Sequence, residues 1–144
     1  MTVLDAFAVI AYLRAEPAAG EVRRLLKTDA QLTSVGVAEV LDHLVRVFGA
    51  DEEEAALDLA QLGLLEGTVV DSTVGAAAGR LRARRYHRAR CAVSMADCIA
   101  AQAARSKGEP LATSDPHLLD LCHAEGIPTV VLTGSDGPRW TKAD

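Results

Sequence analysis

Four acidic residues of this chain stand where a carboxylate needs an explanation: Asp5, Glu39, Asp97 and Asp115. Asp97 lies in VSMADCIAA, residues 93–101, which is apolar at almost every other position. Burying a carboxylate costs several kcal/mol unless a partner compensates the charge, and acids that converge need a counter-charge. Hard divalent cations such as Mg²⁺ prefer carboxylate oxygens. Two such ions about 4 Å apart can activate water and stabilise the leaving oxygen in phosphodiester cleavage.

Two of these acids also have a purely structural interpretation as helix caps. Ser94 and Asp97 are separated by the spacing of a capping box, in which each side chain bonds the other's backbone N–H. Asp115 precedes Pro116, and Asp as N-cap followed by Pro is a common way to begin a helix. Taken one at a time, capping is the favoured interpretation of both acids.

The other two acids, Glu39 and Asp5, differ in how well a purely structural role explains them. Glu39 lies beside an apolar helical stripe, and taken alone it belongs to a solvated face that would include an Asp42–Arg46 pair. Asp5 is the only charged side chain within residues 1–13. It ends a run expected to form a central strand, where an unpaired buried charge is costly, so a functional role is favoured for Asp5.

Apolar strand-like runs alternate with helical patterns along the chain. The strand-like runs cover residues 2–5, 31–34, 67–71, 110–114 and 128–132. The helical patterns cover residues 6–16, 19–27, 35–48, 51–64, 72–88, 94–106 and 116–125. Short strands that are apolar throughout predict an α/β fold with a parallel sheet covered on both faces. In such folds ligands bind at the carboxyl ends of the strands, where Asp5 and Asp115 are expected.

Composition narrows the class of protein. A chain of 144 residues with 49% hydrophobic and 24% charged residues is typical of one globular domain. We assign residues 1–133 to that domain and residues 134–144 to a loose polar C-terminal tail. No run approaches the roughly 18 apolar residues of a membrane span, and the N-terminus lacks the features of a signal peptide. Three cysteines without metal spacing suit a reducing compartment, so we expect a cytoplasmic protein without membrane attachment.

The charge distribution is uneven. A net charge of -5 argues against a protein that grips long nucleic acid through bulk positive charge. RLRARRYHRAR, residues 80–90, nevertheless concentrates six of the fifteen basic residues. Such a run is usually a solvated helix face, but beside an acidic metal site it could hold RNA phosphates. The four histidines share no metal-ligand spacing, and none is assigned as a ligand.

Three segments together resemble a known family. VLDAFAVIAYL at the start, TSVGVAEVLDHL in the first third and SMADCIAAQAARSKGEPLATSDPHL in the last third are similar to the PIN-domain ribonucleases, specifically the VapC toxins of bacterial toxin–antitoxin pairs. Nearly the whole chain is covered, although each motif is one acid in apolar surroundings. Many relatives have glycine before the third acid, where this chain has Ala96.

The resemblance implies a PIN-like three-layer sandwich with a central parallel sheet of about five strands. It implies an endoribonuclease that requires Mg²⁺ or Mn²⁺, with Asp5, Glu39, Asp97 and Asp115 as its metal-binding and catalytic acids. A hydroxyl residue before the last acid would be Thr113 or Ser114. RNA is the implied substrate, and the implied partners are a second copy of the chain in a homodimer and a cognate antitoxin that blocks the site.

Other classes are less well supported. Haloacid-dehalogenase-type phosphatases carry a second aspartate two residues after the first, whereas Asp5 is followed by Ala6 and Phe7. Receiver domains need a lysine after a late strand, and no lysine of this chain has that position. The main alternative is a non-catalytic PIN-fold module that binds RNA or protein and has lost its metal, which the presence of all four acids disfavours.

Overall fold

A computed structural model describes residues 1–143 and shows a parallel sheet at the centre of the chain. Its strands are β1 (Thr2–Leu4), β2 (Ala30–Gln31), β3 (Leu111–Thr113) and β4 (Thr129–Val131). They are ordered β2-β1-β3-β4, and every neighbouring pair is parallel. The expected α/β class with a central parallel sheet is therefore confirmed, with β1 and β3 as its two inner strands.

Seven α-helices surround the sheet. They are α1 (Ala6–Leu13), α2 (Ala19–Leu26), α3 (Ser34–Asp42), α4 (Glu52–Gln61), α5 (Ser72–Arg85), α6 (Met95–Lys107) and α7 (Pro116–Glu125). A π-helical turn, His43–Val47, continues α3. The predicted helices are all present, and the one expected over residues 72–88 ends at Arg85.

The alternation of side chains along the inner strands produces two hydrophobic cores. Val3 and Leu111 face one core, which is closed by α5, α6 and α7. Leu4 and Ala112 face the other, closed by α1, α2, α3 and α4. Because successive strand residues point to opposite faces, the result is the expected helix–sheet–helix sandwich, with its cores built almost entirely from Ala, Val, Leu and Ile.

The strand expected over residues 67–71 is reduced to a single parallel bridge between Thr33 and Thr68. Gly67 has a positive φ of 36°, and its Cα lies so close to the backbone of Ser34 that a Cβ would come within 2.9 Å. Val69 is 86% exposed. The adjacent valines Val69 and Val70, which suggested a strand, therefore do not enter the core. The sheet thus has four strands and one extra bridge where about five strands were expected.

Residues 133–140 are folded onto the domain, whereas the sequence predicted a loose tail over residues 134–144, of which Asp144 lies outside the described residues. Arg139 pairs with Glu21 at 3.2 Å, and the Trp140 Nε1–H donates to Asp120 Oδ1 at 2.9 Å. A bridge between Thr133 and Arg139 closes the turn between them. Within residues 1–143, no helix is long and apolar enough to cross a membrane.

Candidate active site

Asp5 lies directly after β1, at the carboxyl end of the sheet. Its side chain is 3% exposed and does not cap α1, although Asp5 is the N-cap residue of that helix. The hydroxyl of Thr113 donates to Asp5 Oδ2 at 2.8 Å. Burial, followed by the charge of Asp97, raises the pKa of Asp5 to about 7, while the Thr113 hydrogen bond opposes the shift. A buried acid with this pKa is ready to exchange its proton for a cation near neutral pH.

Thr113, at the end of β3, joins two of the acids. Its side chain is fully buried, and its oxygen also accepts a hydrogen bond from the Asp115 backbone N–H at 3.1 Å. Of the two hydroxyl residues considered from the sequence, the structure therefore places Thr113 against Asp5. Ser114 instead lines the groove described below.

Asp97 occupies the first turn of α6 and is a true capping residue. The Ser94 N–H donates to Asp97 Oδ2 at 2.8 Å, and the Asp97 N–H donates to Ser94 Oγ at 3.0 Å. These bonds confirm the capping box read from the sequence. Burial nevertheless raises the pKa of Asp97, and the charge of Asp115 adds to this effect. One carboxylate thus caps the helix and belongs to the acidic cluster at the same time.

Glu39 faces the same cluster, which corrects its interpretation as part of a solvated helix face. Burial raises the pKa of Glu39, and the negative charges of Asp97 and Asp42 raise it further. The predicted Asp42–Arg46 pair is confirmed, because Arg46 binds Asp42 at 2.9 Å on the exposed side of the helix. Glu39 differs because α3 contacts α6, which turns this one polar position towards Asp97.

Asp115 begins α7 as its N-cap residue. Its Oδ1 accepts from the backbone N–H of His117 at 2.8 Å and of Leu118 at 3.3 Å, and Pro116 follows as the first helical residue. The cap expected from the sequence is therefore present. Its charge still acts on Asp5 and on Asp97, raising the pKa of both after the larger effect of burial.

The four acids expected from the sequence are thus brought together from four separate segments: the end of β1, the middle of α3, and the first residues of α6 and α7. Asp5, Asp97 and Asp115 each engage only one carboxylate oxygen in hydrogen bonds among residues 1–143. The second oxygens remain available to a ligand. In the described part of the chain, no three His, Cys, Asp or Glu residues are placed so that together they could hold a metal ion. The carboxylate chemistry of the four acids nevertheless suits a hard divalent cation.

A groove of about 670 Å³ opens beside Asp5 and Asp115. Phe7 lies on one wall, and the segment from Thr133 to Trp140 contributes another. Phe7 is 47% exposed and packs edge-on against His43, with 5.1 Å between the ring centroids. Asp5 and Asp115 are consequently open to a cleft whose walls include the aromatic side chains of Phe7 and Trp140. The sequence did not indicate this role for the C-terminal segment.

Several other acids and thiols lie outside the cluster. Asp71 caps α5 through the Val74 N–H at 2.9 Å. Asp120 accepts from Trp140 and is not among the acids whose charges act on Asp5. Burial raises the pKa of the Cys98 thiol to about 11 and that of Cys122 to about 12, so both are packed, unreactive thiols.

The basic run divides into paired and unpaired arginines. Arg84 and Arg85 bind Glu125 at 3.5 Å and 2.6 Å, and Arg105 of α6 binds the same carboxylate at 3.2 Å. Hydrogen bonds from Arg85 and Arg105 lower the pKa of Glu125 despite its partial burial, which acts in the opposite direction. Part of the run therefore ties α5 to α6 and α7.

With this geometry established, comparison with known proteins is informative. The family model of the PIN domain matches residues 2–124. The chain belongs to the PIN domain family. That assignment confirms the family resemblance and agrees with the central parallel sheet flanked by helices. Among curated proteins, none is similar enough in sequence to be counted as a relative.

Several solved structures share the PIN fold of this chain. FitAcB from Neisseria gonorrhoeae has a TM-score of 0.65 at 19% identity, covering 90% of this chain and 96% of that chain. VapBC2 from Rickettsia felis, solved bound to a DNA fragment from its promoter, has a TM-score of 0.65 at 16% identity, covering 90% and 96%. A toxin–antitoxin complex from Klebsiella pneumoniae has a TM-score of 0.57 at 12% identity, covering 80% and 87%. At these identities the likeness concerns the fold.

Proposed function

We propose that this PIN-domain protein is a cytoplasmic, divalent-metal-dependent endoribonuclease of the VapC type, the toxin of a type II toxin–antitoxin pair. The observation that carries the proposal is the convergence of Asp5, Glu39, Asp97 and Asp115 at the carboxyl edge of the sheet. Such a cluster of like charges is costly in the free protein. A cation-binding role explains why it is present.

The four acids would hold Mg²⁺ or Mn²⁺. When bound, a divalent cation supplies positive charge that lowers the pKa of water and stabilises negative charge on a phosphoryl group. Asp5 is the proposed central ligand because it is the most buried of the acids and receives the Thr113 hydroxyl on one oxygen. Asp97 and Asp115 are held in place by the helix starts that they cap, so their positions are fixed before a substrate arrives.

The proposed partners are RNA, a cognate antitoxin and a second copy of the chain. The solved toxin–antitoxin complexes with this fold support an antitoxin partner. Exposed apolar side chains also suit a protein partner, since Phe7, which lines the groove, and Phe48, which contacts the same His43 ring, are each more than a third exposed. The homodimer rests on the family resemblance.

RNA cleavage tests the proposal. The purified protein would be incubated with structured and single-stranded RNA in EDTA, Mg²⁺ or Mn²⁺, beside Asp5→Asn, Glu39→Gln and Asp97→Asn. Asp71→Asn is the matched control, because Asp71 is a helix-capping aspartate outside the cluster. We expect cleavage that needs the metal, survives in Asp71→Asn and is lost in the three cluster variants. A wild-type protein that neither cleaves RNA nor gains thermal stability from either metal would support the non-catalytic binding module instead.

A further inference from the structure

Arg82 has an unusual environment within the basic run. It lies near the end of α5, and its Nε–H donates to the Val93 carbonyl at 3.0 Å. Its guanidinium group stacks on the ring of Tyr86 at 4.2 Å. These two contacts fix both the direction and the plane of the guanidinium group. Arg82 is therefore oriented by two uncharged groups, whereas Arg84 and Arg85 are held by the Glu125 carboxylate.

This ordered guanidinium has no anionic partner in the described part of the chain. Arg84 and Arg85 pair with Glu125, whereas no carboxylate among residues 1–143 lies within salt-bridge distance of Arg82. Within the same residues, only the Nε of Arg82 donates a hydrogen bond. A half-buried arginine with free terminal donors is suited to an anion that comes from outside the chain.

The position of Arg82 also borders the acidic cluster. Val93 immediately precedes Ser94, the residue whose capping box holds Asp97. The Ser94 N–H in turn donates to Asp97 Oδ2 at 2.8 Å, so the Arg82 side chain is tied to the peptide segment that holds this acid. Arg82 thus presents a positive charge to the edge of a site in which the other charges are negative.

We propose that Arg82 binds a phosphate group of the RNA chain beside the scissile bond, with Tyr86 holding its guanidinium plane. The inference rests on the proposed function and adds the residue that positions the substrate. An acidic cluster repels the RNA backbone, and the net charge of the protein is -5, so a positive side chain beside the proposed metal would favour binding of the RNA backbone. A guanidinium fork fits phosphate in a two-point geometry that a lysine does not match.

Binding of a labelled single-stranded RNA separates this role from structure and from catalysis. The Asp5→Asn protein, which is expected not to cleave, would serve as the background for Arg82→Gln, Arg82→Lys and the control Arg80→Gln. Arg80 is exposed, lies on the same helix and makes no salt bridge within the described residues. Kd would be measured over a range of salt concentrations, and the melting temperature of each variant would be recorded.

We expect Arg82→Gln to weaken binding about tenfold, since a charge-assisted hydrogen bond is lost. The slope of log Kd against log salt should fall by about 0.7, the value for one phosphate contact on a single strand. Arg82→Lys should recover part of the affinity, and Arg80→Gln should change neither quantity appreciably.

Two different results would contradict the proposal for Arg82, and they can be told apart. If Arg82→Gln binds RNA with the affinity and salt slope of Arg80→Gln and differs only in melting temperature, Arg82 is a clamp between α5 and Val93 and the inference is overturned. If the wild-type protein neither binds nor cleaves RNA under any metal condition, the proposed function fails and the role of Arg82 fails with it.

Discussion

The Thr113 hydroxyl bridges two acids of the cluster, donating to Asp5 Oδ2 at 2.8 Å and accepting from the Asp115 N–H at 3.1 Å. Thr113 ends β3, the neighbour of β1 in the sheet. One buried side chain therefore ties the carboxylate at the end of one inner strand to the helix start that follows the other. Through Thr113, the alignment of β1 with β3 therefore fixes how Asp5 and Asp115 lie relative to each other.

Replacing Thr113 with valine should alter the titration of Asp5. The hydroxyl hydrogen bond opposes the rise in the pKa of Asp5 that burial causes, so its loss should raise that pKa above about 7. We expect the acidic limb of the pH–rate profile for RNA cleavage to move to higher pH. Unfolding should also become easier by roughly 1–3 kcal/mol, because a buried N–H loses its acceptor. Thr113→Ser retains the hydroxyl and should leave the profile in place.

The stability of the metal-free protein should fall as pH rises from about 4 to about 7. Asp5 ionises near 3.8 when unfolded and near 7 when folded, so the folded state binds more protons across this window and stability decreases with pH. Glu39 and Asp97 act in the same direction because their pKa values are also raised. Urea unfolding in EDTA at several pH values would measure the slope. Asp5→Asn should reduce the loss of stability across this pH window by a few kcal/mol. An unchanged slope of stability against pH would contradict the assignment of Asp5 as a buried acid.

Mg²⁺ or Mn²⁺ should raise the melting temperature of the wild-type protein. Binding to the folded state alone stabilises by about 2.7 kcal/mol when the free ion is at a hundred times its Kd. The gain should be larger at pH 8 than at pH 6, because protons compete with the cation for Asp5. Thermal melts with and without the ion would show this, with Asp71→Asn behaving as wild type. A gain that persists in Asp5→Asn would place the cation elsewhere.

The two roles of Asp97 can be separated with its capping partner. Ser94→Ala removes the hydroxyl that accepts the Asp97 N–H and should cost about 1 kcal/mol of stability, while RNA cleavage is largely retained. Asp97→Asn keeps an oxygen that can accept the Ser94 N–H and removes only the charge. We therefore expect little loss of stability in EDTA and complete loss of cleavage. Equal losses of activity in both variants would indicate that Asp97 supports cleavage only by capping α6.

The carboxylate of Glu125 should be an electrostatic anchor for three arginines. Side-chain exposure of Glu125 is 11%, and Arg84, Arg85 and Arg105 surround it. Glu125→Gln would leave these positive charges unbalanced and should destabilise the fold by about 1–3 kcal/mol. High salt should reduce the difference, since it screens the arginine repulsion. Denaturant unfolding at low and high ionic strength would measure it. A difference that does not depend on salt would indicate a packing effect.

Local pattern was sufficient for the helices, for the four strands of the sheet and for the caps, because these depend mainly on neighbouring residues. It failed for the strand predicted over residues 67–71, which is reduced to one bridge. The capping box at Ser94 and Asp97, the start of α7 at Asp115, and the Asp42–Arg46 pair were all predicted correctly. Glu39 was the exception among the acids. Its helix carries other polar residues on one side, and only the packing of α3 against α6 distinguishes a residue that faces Asp97 from one that faces water.

The sequence by itself determined the helices, the strands of the sheet and the caps, because hydrophobic periodicity and capping are short-range properties. It also named the four acids as candidates for the site. Tertiary structure alone decided that those acids converge, that Thr113 rather than Ser114 contacts Asp5, and that Arg82, which has no salt bridge within residues 1–143, is tied to Val93 at the edge of the site. It also decided that residues 133–140 form a wall of the groove. These relationships join residues distant in the chain, and the physical reason is that strand order and helix packing, which no local pattern encodes, set the distances between them.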